Sequence, residues 1–306
     1  MNSEPLSTAE LLKAAKSFQT KKRLGQHLLV DADVLKFIGD SLLIEPSDTV
    51  VEIGCGTGFL TRVLSCYGAE VVAVDLDRES TVLVSELALP NVRTVHGDFL
   101  NFDLGQLALR RHLQDNQPAA APLEPVQRSI KLAGNVPFQI TGLIIGHVLG
   151  EIGKPAPWLS SVERIVLTIQ HEVALRMVAL PGSKNYSQLS LMMQYFCRPR
   201  LEMVLGPEKF HPPPKVTSAV VSLEPLDSPP VQCDNHVFLR RVIAAGFSGR
   251  RKMLRNALNS LAIPNLNISL LFSELGLDPQ ARAENLSLAQ FALLTNAIEA
   301  QVKIAR

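Results

Sequence analysis

Residues 50–60 constrain the fold of this chain more than any other stretch. The β-branched residues from Thr49 to Ile53 are typical of a buried strand, and an apolar helical pattern begins at Phe59. Between them stand glycines at alternate positions, Gly54, Gly56 and Gly58. Glycine allows a sharp turn and lets a ligand lie against the main chain. A strand, a glycine loop and a helix N-terminus in this order predict a site for a nucleotide-like ligand.

The next strand limits the kind of ligand. Val71-Val72-Ala73-Val74 is the pattern of a second buried strand, which ends at Asp75. A carboxylate at this place can accept hydrogen bonds from both hydroxyls of a ribose. The dinucleotide fingerprint G-x-G-x-x-G/A is not met, because Phe59 stands where its third small residue is expected. The residues therefore predict a ligand with an adenosine half and disfavour a nicotinamide-dependent enzyme.

Length and composition bound the class of protein. The chain has 306 residues, of which 46% are hydrophobic, so it can form one large or two modest domains with a core. No apolar run approaches the ~20 residues of a membrane helix, and no signal peptide is indicated, so we expect a cytoplasmic protein. The cysteines Cys55, Cys66, Cys197 and Cys233 lack C-x-x-C spacing. We therefore expect reduced thiols and no metal site.

Strands and helices alternate through most of the chain. Further strands are predicted at residues 92–95, 130–133, 162–169, 200–205 and 218–223, with helical patterns between the earlier ones. This order predicts an α/β fold in which a doubly wound sheet has an antiparallel edge. Residues 105–128 hold prolines and an alanine run, and are predicted to be an exposed loop insertion.

The pattern becomes entirely helical beyond Asp227-Ser228-Pro229-Pro230. We therefore predict an extension at residues 1–20, a ligand-binding domain at 21–228 and a small all-helical domain at 229–306. The net charge of +1 argues mildly against a nucleic-acid-binding protein. Basic residues nevertheless cluster at Lys21-Lys22-Arg23, Arg240-Arg241 and Arg250-Arg251-Lys252. The distribution of charge matters more than its sum for phosphate contacts, so nucleic acid stays a candidate partner.

Successive strands of the predicted sheet end in a polar residue or a glycine. These ends are Glu52-Ile53-Gly54, Asp75, Asp98 and Asn135. The carboxyl ends of parallel strands face the ligand crevice in a sheet of this kind. Asp98 suits the exocyclic amine of an adenine, because a carboxylate accepts hydrogen bonds from N–H groups. The four ends together predict one site.

Asn135-Val136-Pro137-Phe138 is the most informative stretch for chemistry. The pattern E-x-G-x-G-x-G at Glu52 to Gly58 resembles the first motif of class I S-adenosylmethionine methyltransferases, which implies methyl transfer. The lone pair of an exocyclic amine is delocalised into its ring, so transfer to it requires the amine to be held in line with the methyl group. The Asn135 side-chain oxygen and the Val136 carbonyl can accept its two N–H bonds, with Pro137 fixing the turn. Phe138 can stack on the base, a contact worth ~1–3 kcal/mol.

Several motifs together resemble one family. They are Gly25-Gln26-His27-Leu28-Leu29, Glu52-Ile53-Gly54-Cys55-Gly56, Asn135-Val136-Pro137-Phe138, Phe210-His211-Pro212-Pro213-Pro214-Lys215-Val216 and Phe247-Ser248-Gly249-Arg250-Arg251-Lys252. The chain is similar to the ribosomal RNA adenine N6-dimethyltransferases, and most similar to those of the small ribosomal subunit. The resemblance covers nearly the whole chain, apart from the first twenty residues and the insertion at 105–128.

The resemblance implies a class I S-adenosylmethionine-dependent methyltransferase with a Rossmann-like sheet and S-adenosyl-L-methionine as cofactor. It implies dimethylation of two adjacent adenosines near the 3′ end of 16S rRNA in the small subunit, a role in late subunit biogenesis, and a monomer. The cofactor contacts carried over by position are His27, Leu29, Gly54, Asp75, Asp98 and Asn135. The catalytic stretch is Asn135-Val136-Pro137-Phe138, and the substrate contacts are Phe138, Phe210, Arg250, Arg251 and Lys252.

The chain also departs from the usual family pattern. His27 stands where Asn is usual, and Val136 and Phe138 replace the usual Leu and Tyr. A neutral imidazole can donate or accept, and Phe138 retains a stacking face without the hydroxyl. Two other functions stay open. One is the large-subunit rRNA methyltransferase that confers macrolide resistance, which lacks the Arg-Arg-Lys-x-Leu-Arg-Asn pattern, and the other is a non-catalytic RNA-binding assembly factor.

Overall fold

The computed structural model describes residues 6–21, 25–107, 130–249, 252–264 and 266–304. Most of the insertion predicted at residues 105–128 lies outside these ranges. Inside them, the β-branched stretches of the sequence form strands and the amphipathic stretches form helices, as their apolar periodicities predict.

One sheet organises the strands. The strands are β1 (Leu28–Leu29), β2 (Thr49–Ile53), β3 (Glu70–Asp75), β4 (Val92–His96), β5 (Ile130–Asn135), β6 (Gly150–Glu151), β7 (Lys154–Pro155), β8 (Val162–Gln170), β9 (Cys197–Leu205), β10 (Phe210–His211) and β11 (Ser218–Pro225). The main sheet has the order β4-β3-β2-β5-β8-β11-β9. β2 pairs in parallel with β3 and β5, β3 with β4 and β5 with β8, whereas β11 is antiparallel to β8. The predicted α/β fold, doubly wound with an antiparallel edge, is confirmed.

Helices connect the parallel strands and form the C-terminal part of the chain. They are α1 (Thr8–Ser17), α2 (Ala32–Ser41), α3 (Phe59–Ser65), α4 (Arg78–Glu86), α5 (Thr141–Leu149), α6 (His171–Met177), α7 (Gln188–Phe196), α8 (His236–Gly246), α9 (Leu254–Ala257), α10 (Ile268–Glu274) and α11 (Leu288–Ile304). Asp31 caps α2, because its side chain accepts a hydrogen bond from the Val34 backbone N–H at 3.0 Å. None of the described helices is long and apolar enough to cross a membrane.

The chain divides into two compact units. The first holds the described residues within 1–148, 157–174 and 200–225, and the second those within 149–156, 175–199 and 226–306. In the second unit, the rings of Phe247 and Phe291 are stacked with centroids 6.2 Å apart. The C-terminal region is helical, as expected. The domain boundary at residue 229 stays a prediction, and the second unit also includes residues that precede it.

Lys131 is a buried charge near the start of β5. The residue is 1% exposed, and its Nζ lies 2.8 Å from Asp48 Oδ2 and 3.4 Å from Glu163 Oε1. Nζ also donates to the Leu43 carbonyl. Asp48 in turn accepts from the Glu45 backbone N–H at 2.7 Å. These bonds tie the turn that precedes β2 to the neighbouring strand β5.

Replacing Lys131 by Met should lower the free energy of unfolding by about 3–5 kcal/mol, because Asp48 is left as an uncompensated buried charge. Urea unfolding followed by circular dichroism measures the change. Lys36→Met is the matched control, since Lys36 and Asp40 form an exposed pair 2.6 Å apart on one helix face. Such a pair contributes at most about 0.5 kcal/mol. Equal losses in the two variants would contradict a stabilising role for the buried pair.

Candidate active site

A cavity of about 290 Å³ lies at the carboxyl ends of β2, β3, β4 and β5, where the crevice of a doubly wound sheet is expected. It is lined by residues 25–29, 52–57, 74–76, 97–99 and 135–140, together with Leu35, Phe59 and Leu60. The sequence-predicted residues His27, Leu29, Gly54, Asp75, Asp98 and Asn135 to Phe138 are all among them. The fold therefore brings together residues from five separate segments of the chain.

The glycine loop leaves room for a ligand. Gly54 has a φ of +78°, and a Cβ at this position would meet no atom within 4 Å. The loop is held by a 2.8 Å hydrogen bond from Gly54 N–H to the Val74 carbonyl. Thr57 Oγ1 is buried at the cavity and has no hydrogen-bond partner among the described residues. A ligand can therefore approach this main chain closely and satisfy a hydroxyl there.

Asp75 is held by the backbone on both of its carboxylate oxygens. Oδ2 accepts from Gly56 N–H at 2.9 Å, and Oδ1 accepts from Asp77 N–H at 2.8 Å. Burial raises the pKa of Asp75, and the neighbouring charge of Asp77 adds to the effect, while both backbone hydrogen bonds oppose it. Each carboxylate oxygen retains a second lone pair, so the fixed carboxylate can still accept from ligand hydroxyls.

Lys21 forms ion pairs beside the cavity that were not predicted from the sequence. Its Nζ lies 2.7 Å from Asp77 Oδ1 and 3.0 Å from Glu79 Oε2. Its backbone N–H donates to Gln26 Oε1 at 2.8 Å. In the sequence this lysine belonged to a basic cluster whose charge suggested a nucleic-acid contact. In the structure its charge is paired next to Asp75, whereas its neighbours Lys22 and Arg23 lie outside the described residues.

Asp98 follows β4 and lines the cavity. Its Oδ1 accepts from Leu100 N–H at 2.9 Å, which caps the short 3₁₀ turn Phe99–Asn101. Phe99 is 6% exposed and meets the His147 ring edge-on, with centroids 5.3 Å apart. The packing of Phe99 fixes the turn, so Asp98 is presented to the cavity from a rigid support.

Asn135 ends β5 with its amide oriented by the backbone. Asn135 Nδ2 donates to the His27 carbonyl at 2.6 Å. A carbonyl can only accept, so the amide nitrogen must face His27 and the Asn135 Oδ1 is left to accept from another group. Val136 is 2% exposed, and its N–H donates to the Thr168 carbonyl at 3.2 Å. Phe138 is half-buried and lies beside the His27 ring, with centroids 6.1 Å apart.

Phe210 does not reach the cavity, and the structure gives no support to its predicted contact with a base. Phe210 in β10 pairs with Leu29 in the two-residue strand β1. Both side chains are 3% exposed and pack in the same apolar core as Val34 and Leu35. The antiparallel pairing turns the Phe210 ring inward, because it shares the buried face of Leu29. Leu29 itself lines the cavity.

Lys252 is the one predicted basic RNA contact that the structure describes, and it lies in the second unit. Arg250 and Arg251 lie outside the described residues. Lys252 is exposed, and its backbone N–H donates to the Gly249 carbonyl at 3.0 Å. Its side chain is therefore accessible to a partner.

The described residues contain no cluster of His, Cys, Asp and Glu that could hold a metal ion. Cys55 and Cys233 are free thiols. Cys55 is 4% exposed at the cavity wall, and burial raises the pKa of its thiol. Burial therefore disfavours the thiolate, which is the nucleophilic form of cysteine.

Glu52 is a buried acid beneath the glycine loop. It is 1% exposed, and Thr61 Oγ1 donates to its Oε2 at 2.5 Å. Burial raises the pKa of Glu52 to about 8, with the charge of Asp75 adding to the effect and the Thr61 hydrogen bond opposing it. Glu52 is therefore protonated at neutral pH in the folded protein.

Glu52 should make the folded state less stable as the pH rises. The pKa of Glu52 in the folded protein lies above its value of about 4.3 in an unfolded chain. The contribution of Glu52 to the free energy of unfolding is therefore fully present below about pH 4.3 and is lost as the pH rises towards 8. Glu52→Gln cannot titrate, so its free energy of unfolding should fall less between about pH 5 and pH 8 than that of the parent. Urea unfolding across this range measures the difference. The control is Glu86→Gln, an exposed position on α4. If the free energies of unfolding of the parent and Glu52→Gln changed in parallel with pH, a protonated Glu52 in the folded protein would be contradicted.

Comparison with known sequences assigns the chain to a family. Residues 17–300 match the profile of the ribosomal RNA adenine dimethylases. The chain is 39% identical over 283 residues to the ribosomal RNA small subunit methyltransferase A of Crocosphaera subtropica, spanning 91% of this chain and 98% of that protein. It is 36% identical over 281 residues to the protein of the same name from Thermosynechococcus vestitus, spanning 92% and 97%.

Solved structures share the fold. A dimethyladenosine transferase from Plasmodium falciparum superposes with a TM-score of 0.68 at 24% identity, covering 88% of this chain and 96% of that one. The 23S rRNA methyltransferase ErmE superposes with a TM-score of 0.64 at 21% identity, covering 89% and 99%. Sequence identities below 25% to these two structures show the fold alone. The family assignment rests on the sequence matches, which have higher identity and extend over nearly the whole chain. The chain therefore belongs to the ribosomal RNA adenine dimethylase family.

Proposed function

We propose that this protein uses S-adenosyl-L-methionine to dimethylate the N6 amine of two adjacent adenosines near the 3′ end of 16S rRNA in the small ribosomal subunit. The orientation of Asn135 carries the proposal, because its Nδ2 is held by the His27 carbonyl and its Oδ1 is left for a target amine. The named relatives are small-subunit rRNA methyltransferases, which supports the choice of RNA.

The cavity has the features that this cofactor requires. The open space beside Gly54 admits the methionine part of the cofactor against the main chain, together with contacts from His27 and Leu29. The Thr57 hydroxyl, buried without a described partner, is a donor suited to the carboxylate of that part. Asp75 is suited to the ribose hydroxyls and Asp98 to the adenine amine. When bound, S-adenosylmethionine supplies a methyl group on a sulfonium, which is a good leaving group.

The tetrad Asn135-Val136-Pro137-Phe138 performs the positioning that this chemistry needs. The Asn135 Oδ1 and the Val136 carbonyl accept the two N–H bonds of the target amine, which favours a tetrahedral nitrogen. The 2.6 Å bond from Asn135 Nδ2 to the His27 carbonyl fixes the amide before the base arrives. Pro137 limits the turn, and the Phe138 ring supplies a stacking face for the base. No strong base is required, because the amine becomes cationic as it gains the methyl group and then releases its N–H proton to water.

The RNA has to present its adenosines outside a helix. An adenosine in a loop or an unpaired strand reaches the cavity at a lower free-energy cost than one in a duplex. Lys252 is exposed, and we propose that it binds RNA phosphates together with Arg250 and Arg251. We expect a monomer in the cytoplasm that acts during late assembly of the small subunit.

Ribosomal particles test the proposal directly. Incubation of unmodified small and large particles with labelled S-adenosylmethionine should label only the small particles, with dimethyladenosine as the product by mass spectrometry. Asn135→Ala should lower the rate at least about 100-fold, because an aligned acceptor in the transition state is lost. Asn101→Ala, an exposed amide outside the cavity, is the matched control and should retain the parent rate. Label confined to large particles would overturn the proposed substrate.

The place of the ribose is tested through cofactor affinity. Asp75→Ala should weaken S-adenosylmethionine binding by about 1–3 kcal/mol, the usual cost of losing a hydrogen bond to a charged group. Isothermal titration calorimetry measures the change, and circular dichroism verifies that the variant is folded. Glu86→Ala removes an exposed carboxylate elsewhere and should bind like the parent. Unchanged affinity in a folded Asp75→Ala protein would rule out the ribose contact.

A further inference from the structure

The imidazole of His27 joins two segments that are far apart in the sequence. Its Nδ1 lies 2.7 Å from the Pro212 carbonyl. Because a carbonyl can only accept, Nδ1 must carry the proton and donate it. The same residue accepts at its backbone carbonyl from Asn135 Nδ2. His27 thus contacts the loop that follows β10 through its side chain and the tetrad through its main chain.

The His27 ring also lies against one face of Phe138. Their planes are inclined by 22°, and their centroids are 6.1 Å apart, within the range of offset-stacked aromatic pairs. A base placed between them would need about 7 Å, since each stacked layer requires about 3.5 Å. The target base therefore cannot enter between the two rings, and the opposite face of Phe138 is the one that can receive it.

The Phe138 ring needs a neighbouring side chain to hold it in place. The 3₁₀ turn Phe138–Ile140 has no buried residue and no side-chain cap at its start. A half-buried ring on a turn of this kind is not fixed by core packing. Among the described aromatic residues, His27 is the ring that stacks on it. The hydrogen bond to Pro212 holds the imidazole and so limits where Phe138 can move.

We propose that the His27 imidazole is a positioning residue that supports Phe138 and directs the target adenine to the opposite face of that ring. The inference rests on the proposed function. His27 does not take part in methyl transfer itself. It acts through Phe138, so its effect should vanish when Phe138 has no aromatic ring.

Two substitutions separate the ring of His27 from its hydrogen bond. In His27→Asn, the Nδ2 occupies nearly the place of the imidazole Nδ1 and can still donate to Pro212, but the ring is lost. In His27→Phe, the ring remains and the donor is lost. His27→Asn should lower kcat/KM for small-subunit particles roughly two- to tenfold, the scale of an aromatic pair. The rate is measured at saturating S-adenosylmethionine, and cofactor affinity is measured separately, so that an effect on cofactor binding is not counted as an effect on the target base.

A double-mutant cycle tests the coupling. In a Phe138→Leu background, His27→Asn should have no further effect on kcat/KM. In a His27→Phe background, Phe138→Leu should lower kcat/KM as much as it does in the parent, because the ring at residue 27 and its coupling to Phe138 are retained. Proton NMR gives a readout independent of activity, since the His27 ring signals should shift when Phe138 becomes Leu and the signals of the other histidines should not. An equal loss in both backgrounds, or unshifted His27 signals, would overturn the positioning role.

The parent protein separates this inference from the proposed function. Failure of the parent to methylate small particles would contradict the function. An active parent with additive substitutions would contradict only the role of His27. A normal rate of His27→Asn at saturating cofactor would also overturn the inference, whatever the effect of the substitution on cofactor binding.

Discussion

The close approach of β5 to β2 is the constraint on which the site depends. A Cβ on Gly134 would lie 2.6 Å from the Ile53 carbonyl oxygen, so a side chain at this position would force the strands apart. With glycine there, the two strands end side by side, and Gly54 leaves β2 next to Asn135 at the end of β5. The glycine loop and the tetrad therefore line one cavity, and a methyl donor and a methyl acceptor can meet in it.

The sheet could be predicted because its signals are local. β2 is buried at every residue, and its β-branched residues Val50, Val51 and Ile53 are typical of a strand covered on both faces. The positions of Asp75, Asp98 and Asn135 followed from one geometric rule, since the ends of parallel strands share an edge of the sheet. For these parts, local pattern and overall fold agree.

Contacts between distant segments could not be predicted in this way. The strands β1 and β10 have two residues each, too few to show a period, and only their pairing turns Phe210 into the core. The ion pair of Lys21 with Asp77 likewise has no local signature, so the basic cluster suggested RNA where the structure has an internal contact. Composition describes charges, whereas the fold decides which of them are already paired.

The pairing of β1 with β10 has a consequence for natural variation. Leu29 and Phe210 share one buried face, and His27 meets Pro212 immediately beside them. A change of size on one side of this contact leaves either a void or an overlap on the other. The stretch around residue 27 and the proline-rich stretch after residue 210 thus form one packing unit. We expect substitutions in the two stretches to covary among relatives despite their distance along the chain.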